Sequence, residues 1–178
     1  MTGEKGDATR VDPGQPDPRI GRFQAGIGAL LRRATDGRYL FLRRSALKDY
    51  AAGDWECVTG RVDQGEGFTG AVYREVREEV GLDARIEFIL GTTHLYRGAT
   101  TPENELVGVL YSCAVGDAEE VQTSAEHSEC RWLNEAELGA LLPEEHWLVQ
   151  LVGRAERVRA LVPGALLDYW RDAGFDID

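Results

Sequence analysis

The stretch that most constrains this chain runs from 68 to 80, FTGAVYREVREEV, and is followed by Gly81. Its spacing predicts a helix, with Gly81 placed to end it in the left-handed conformation. On a wheel at ~100° per residue with Glu75 at zero, Glu79 lies near ~40° and Glu78 near ~300°. Val72, Val76 and Val80 lie between ~60° and ~140° on the same wheel. One face is therefore valine, suited to a core, and the face beside it carries three carboxylates. Such crowding is unfavourable: like charges four apart, as in Glu75 and Glu79, destabilise a helix by roughly 0.2–0.5 kcal/mol per pair. Charge runs of this kind usually just face solvent. A divalent cation would reverse the sign of the interaction. Mg²⁺ takes oxygen ligands, keeps several waters and bridges carboxylates to phosphates. It also polarises phosphoryl oxygens and lowers the pKa of a bound water.

The charge balance bears on that choice. Asp plus Glu number 31 against 20 Lys plus Arg, a net charge of -11, which argues against a protein that grips nucleic acid by its phosphates. An anionic ligand would need a bound cation or local arginines. The 178 residues, 43% hydrophobic and 29% charged, suffice for one globular domain with a real core. No apolar run approaches the ~20 residues of a membrane span, and the start of the chain lacks an apolar signal region. The expectation is a cytoplasmic protein with no membrane partner. Cys57, Cys113 and Cys130 form no CxxC pair, which fits a reducing compartment and small buried side chains.

Along the chain, 1–19 hold Pro13, Pro16 and Pro18 with Gly3, Gly6 and Gly14 and almost no large apolar residues. They read as a flexible tail, with the folded domain spanning 20–178. Residues 23–33 read as a buried strand and 39–44 as its hairpin partner across the turn at Asp36–Gly37. A short strand and turn follow at 55–62, and two long strands at 84–96 and 105–115. Another short strand covers 129–133. Asn134 with Glu137 three residues on forms a capping box for a helix to about Leu142, stopped by Pro143. A longer helix over 144–161 and a last piece over 164–173 complete an α/β or α+β chain, with helices packed on a sheet.

The segment Gly60–Leu82, GRVDQGEGFTGAVYREVREEVGL, resembles the signature of the Nudix hydrolase family. The matching positions are Gly60, Glu66, Arg74, Glu75, Val76, Glu78, Glu79, Gly81 and Leu82. A chance match to the seven single-residue requirements is roughly one in 10⁸ per starting point. The resemblance implies a Nudix-type α/β/α sandwich with a mixed central sheet. It implies Glu75, Glu78 and Glu79 as Mg²⁺ ligands, with Mn²⁺ a possible substitute. Glu66 and Arg74 would form a supporting pair, as outer-shell groups do. Gly60 would let the chain turn tightly, and the Thr59 carbonyl would reach the metal. Many members carry a second glycine where Thr59 stands; a backbone carbonyl requires no particular side chain.

The flanks are similar to the family too. Trp55 sits where many members carry a tryptophan, and Arg43 and Arg44 where members place arginines near the substrate. Trp132 and Leu133 open a short strand before a helix, which extends the resemblance over 22–142. Glu126 then falls in a loop where some members place a further metal-binding or general-base glutamate, with His127 as a polar alternative beside it. Tyr96 lies near a tyrosine of diadenosine polyphosphate hydrolases, although a strand tyrosine more often packs; Tyr96 or Phe23 is the aromatic offered to a base. The segment WECVTGRVDQGE is similar to bacterial dATP and dihydroneopterin triphosphate pyrophosphohydrolases, so a nucleoside triphosphate is the favoured substrate. ADP-ribose and dinucleoside polyphosphates are alternatives, as is a non-catalytic nucleotide-sensing domain. An isopentenyl diphosphate isomerase would need its cysteine at Thr59, whereas Cys57 stands two residues away. A homodimer is compatible with all of these readings.

Overall fold

The computed structural model describes residues 21–48, 50–117 and 121–177. The expected tail at 1–19 lies outside the described residues. The elements run β1 (Gln24–Arg33), β2 (Tyr39–Arg44), β3 (Trp55–Glu56), β4 (Val58–Arg61), α1 (Phe68–Val80), β5 (Ala84–Tyr96), β6 (Glu105–Val115), β7 (His127–Leu133), α2 (Glu135–Leu141), α3 (Trp147–Leu161) and α4 (Gly164–Ala173). The sheet order is β3-β2-β1-β6-β5, with β4 also pairing β1 and β7 also pairing β2. β1 and β6 are parallel and the other pairs antiparallel, so the sheet is mixed. No helix among the described residues is long and apolar enough to cross a membrane.

Two apolar layers sandwich this sheet. On one face Val72, Val76 and Val80 of α1 meet Ile27, Ala29 and Leu31 of β1 and Cys113 of β6. On the other, Leu138 of α2 and Leu148, Leu151, Val152 and Ala155 of α3 meet Leu30, Phe41, Cys57 and Phe88. Ile86 belongs to the first layer and Phe88 to the second. Strict alternation would put both on one face; the register shift between them switches the strand over.

The hairpin at Gly37 forms, with φ 72° there, but β1 and β2 stay in register only near Arg32 and Tyr39. They diverge beyond that point. β4 takes the place beside β1 over Gly26–Ala29, which sets Thr59 and Gly60 against the end of the sheet that faces α1. The helix-ending features fall where expected: Gly81 adopts φ 68°, ψ 18°, and Asn134 and Glu137 form a complete capping box. β7 starts two residues before the expected strand, at His127, and α3 starts at Trp147 after a turn.

Candidate active site

Helix α1 is fixed to β4 by one close approach and one arginine. A Cβ on Gly60 would lie 2.0 Å from Glu75 Cδ, so only glycine leaves room for the Glu75 carboxylate. This corrects the expectation of a tight turn: Gly60 lies inside strand β4, and its role is space. Arg74 spans the segment. Its Nε and Nη2 donate to the two Glu66 oxygens at 3.0 and 2.8 Å. Nη1 donates to Glu75 at 2.8 Å and Glu78 at 3.3 Å, and Nη2 also donates to the Arg61 carbonyl at 2.9 Å. The Arg74 guanidinium holds the Glu66 carboxyl below its usual range.

The three helix glutamates differ in burial. Glu79 is 8% exposed, Glu75 is partly buried, and the Glu78 side chain is 60% exposed. Burial, then the nearby carboxylates of Glu56, Glu75 and Glu126, push the Glu79 pKa up to about 9. A backbone hydrogen bond from Thr59 works against that rise, while Glu79 Oε2 is buried with no hydrogen-bond partner. Burial also raises the Glu75 pKa.

Glu56 is a site residue that the signature does not contain. It is 7% exposed and lies in a network of its own. Arg44 Nη1 donates to both its oxygens at 2.9 and 3.0 Å, Thr59 Oγ1 donates at 3.0 Å, and His127 Nε2 lies 3.0 Å away. Burial works to raise its pKa, but His127 and Arg44 outweigh it and the net direction is down. A glutamate between Trp55 and Cys57 in an otherwise apolar strand was the available signal.

Glu126 stands at the mouth, its side chain 54% exposed and ion-paired with Lys48, which holds its pKa low. Thr59, Glu56, Glu75, Glu79 and Glu126 line one cleft of about 1050 Å³. Its other wall comes from β5 and α3, including Arg97, Trp147, Arg154 and Arg157.

The residues expected near substrate separate. Arg44 lines the cleft, tied to Glu56 and to the Tyr50 carbonyl, with Nη2 left without a partner. Arg43 points elsewhere: adjacent strand residues face opposite ways, and it bonds the Gly53 carbonyl at 3.1 Å and faces Glu129 at 3.7 Å. Tyr96 is likewise outside the cleft lining, which takes Thr93, Leu95 and Arg97 from this strand and its end; its ring meets His94 edge-on. Phe23 is exposed and outside the lining. Cys57 is wholly buried in the α3-side core, and burial pushes its thiol up, so it offers no isomerase-type acid.

The donor set fits a hard divalent cation. A buried oxygen without a partner, facing further carboxylates, is the environment such an ion neutralises. Among the described residues no three His, Cys, Asp or Glu side chains are gathered tightly enough to ligate an ion as they stand. Glu75 and Glu78 instead satisfy Arg74, so ligation requires them to share or leave that guanidinium.

Known proteins share parts of this sequence and its fold. The NUDIX domain family matches residues 22–152. A segment of 60 residues, 34% of this chain, is 38% identical to the CTP pyrophosphohydrolase of Escherichia coli strain K12, of which it spans 42%. The MutT protein of Methanosarcina mazei Go1 is similar in structure, with a TM-score of 0.65 at 24% identity over 78% of this chain and 96% of that one. The Ap4A hydrolase of C. elegans gives a TM-score of 0.61 at 19% identity over 78% and 99%.

Proposed function

The chain belongs to the Nudix hydrolase family, and from that premise we propose that it is a Mg²⁺-dependent pyrophosphohydrolase that cleaves a phosphoanhydride bond of a nucleoside triphosphate. The observation that carries this reading is the buried, partnerless Glu79 oxygen facing Glu56, Glu75 and Glu126. The short identity to a CTP pyrophosphohydrolase supports the triphosphate.

Glu75, Glu78, Glu79 and the Thr59 carbonyl would hold the cation; Mn²⁺ suits the same oxygen donors. When bound, the metal supplies neutralisation of the diphosphate and a nucleophile at neutral pH. As a ligand Glu79 would be ionised, since ligands must be deprotonated. Arg74 and Glu66 keep α1 at a fixed angle to β4, so the carboxylates are oriented before substrate arrives. Glu126, ionised and at the cleft mouth, takes a proton from the attacking water. Arg44 lines the cleft and would offer its guanidinium to a phosphate oxygen. Rate enhancement comes mainly from positioning and fixed charge.

Phosphorus NMR of ATP turnover tests the reading. AMP and pyrophosphate should form only with Mg²⁺ or Mn²⁺. ADP and inorganic phosphate, or turnover in chelator, would contradict it.

A further inference from the structure

The proposed reaction uses the acidic wall and leaves the opposite wall without a role. That wall carries Arg97, just past the end of β5, and Arg154 and Arg157 on α3. The buried and half-buried arginines Arg44, Arg74 and Arg159 sit on the carboxylates of Glu56, Glu66 and Glu87, whereas Arg154 and Arg157 are exposed to the cleft. Among the described residues neither Arg154 nor Arg157 has a carboxylate within ion-pair distance. Glu145 lines the cleft on this side, and Glu135 and Glu156 line a second pocket that Arg157 shares.

Arg154 is placed rather than loose. Its Nη1 donates to the Leu90 carbonyl at 3.3 Å, at the register shift between Ile89 and Gly91. A bulge leaves its extra residue out of the ladder. A Cβ on Gly91 would come within 2.8 Å of that Nη1, so the glycine keeps the seat open. Arg157 uses Nε on the Gly153 carbonyl at 3.1 Å, which leaves both terminal nitrogens for a ligand. Trp147, Gln150, Leu151 and Arg154 follow at helical spacing on the cleft-facing stripe of α3. The cleft, about 1050 Å³, is at the top of the ~300–1,000 Å³ range of small-molecule sites.

Resting on the pyrophosphohydrolase reading, we infer that Arg154 and Arg157, about one helical turn apart on α3, form a second anion subsite, which takes phosphate beyond the diphosphate held at the acidic wall. Guanidinium forks match phosphate oxygens bidentately. The chain then prefers nucleotides with four or so linked phosphates to those with two. The extra phosphate comes from either a nucleoside tetraphosphate or a dinucleoside tetraphosphate. The half-exposed Trp147 ring offers a stacking surface to a second base in the latter.

The test has two arms, each using wild type, Glu79→Gln and the double variant Arg154→Ala/Arg157→Ala. Both arginines are exposed, and unchanged thermal melts check folding. In chelator, calorimetry with inorganic tripolyphosphate should show wild type and Glu79→Gln binding, and the double variant about tenfold weaker or worse. With Mg²⁺, the double variant should lose about tenfold in kcat/KM on adenosine tetraphosphate and diadenosine tetraphosphate, and stay within about twofold on ADP-ribose. A wild-type preference for the diadenosine compound places the second nucleoside at Trp147; a preference for adenosine tetraphosphate places the terminal phosphate there. Tripolyphosphate binding unchanged in the double variant, or equal loss on all three substrates, overturns the subsite. If no substrate turns over, the pyrophosphohydrolase reading fails, and the chelator arm still decides the subsite.

Discussion

Replacing Glu79 with glutamine should stabilise the metal-free protein near neutral pH. The carboxyl is 8% exposed and its pKa is pushed up to about 9, first by burial and then by Glu56, Glu75 and Glu126. The unfolded chain ionises this group near ~4.3. A group whose folded pKa is raised contributes stability that is fully present below the unfolded value and lost as pH rises through the folded one. At about pH 7.5, retaining the proton costs about 4 kcal/mol against an ionised unfolded chain. Glutamine keeps the acceptor for the Thr59 amide and places its NH₂ where an oxygen already lacks a partner, so it removes the pH-linked cost without a comparable new one. With about 2–4 °C per kcal/mol for a chain this size, the variant should melt about 10 °C higher in chelator at that pH. The advantage should vanish near pH 4, where both states are protonated. Saturating Mg²⁺ should raise the wild-type melt, by about 2.7 kcal/mol at a hundred times Kd, and the variant much less. Scanning fluorimetry across pH with chelator or Mg²⁺ measures all of this. A variant no more stable than wild type at about pH 7.5 in chelator, or an advantage independent of pH, would refute the reasoning.

Gly60→Ala should displace the Glu75 carboxylate, because the added Cβ falls 2.0 Å from Cδ; Mg²⁺-dependent turnover should fall about tenfold or more with the fold retained, read by kcat/KM beside circular dichroism. Arg74→Ala removes the clamp on Glu66, Glu75 and Glu78. Turnover should fall about 10–100-fold, with faster amide exchange in α1. Glu56→Ala leaves Arg44 buried without its partner and should destabilise by about 3–5 kcal/mol, measured by urea unfolding. Asp176 accepts from Thr69 N at 3.2 Å at the start of α1, where Gly67 supplies no side-chain cap; Asp176→Ala should cost about 1 kcal/mol in the same assay.

Most of the fold was legible because its signals are local. The valine stripe and Gly81 bound α1 residue for residue, and Asn134 with Glu137 marks the start of α2. The site was legible where one helix carries it: Arg74 reaches Glu66 and Glu75, and Glu75 and Glu79 line one cleft. What failed was long-range. Arg43 and Arg44 are indistinguishable as neighbours, and only pairing with β3 and β7 decides which faces Glu56. Tyr96 and Leu95 pose the same problem, made harder by two register shifts in β5. Glu56 acquires its role from His127, 71 positions away. The far wall from α3 has no motif, since its arginines matter only once the helix docks across the cleft.

The most direct measurement is a hydrolysis panel read by mass spectrometry, with wild type and Glu79→Gln each in Mg²⁺ and in chelator. It would span nucleoside triphosphates, oxidised dGTP, ADP-ribose, NADH and dinucleoside polyphosphates. Metal-dependent cleavage of a phosphoanhydride by wild type, lost in a folded Glu79→Gln, is expected. Cleavage that survives the substitution, or no cleavage of any substrate by folded wild type in Mg²⁺, would contradict an active centre built on Glu79.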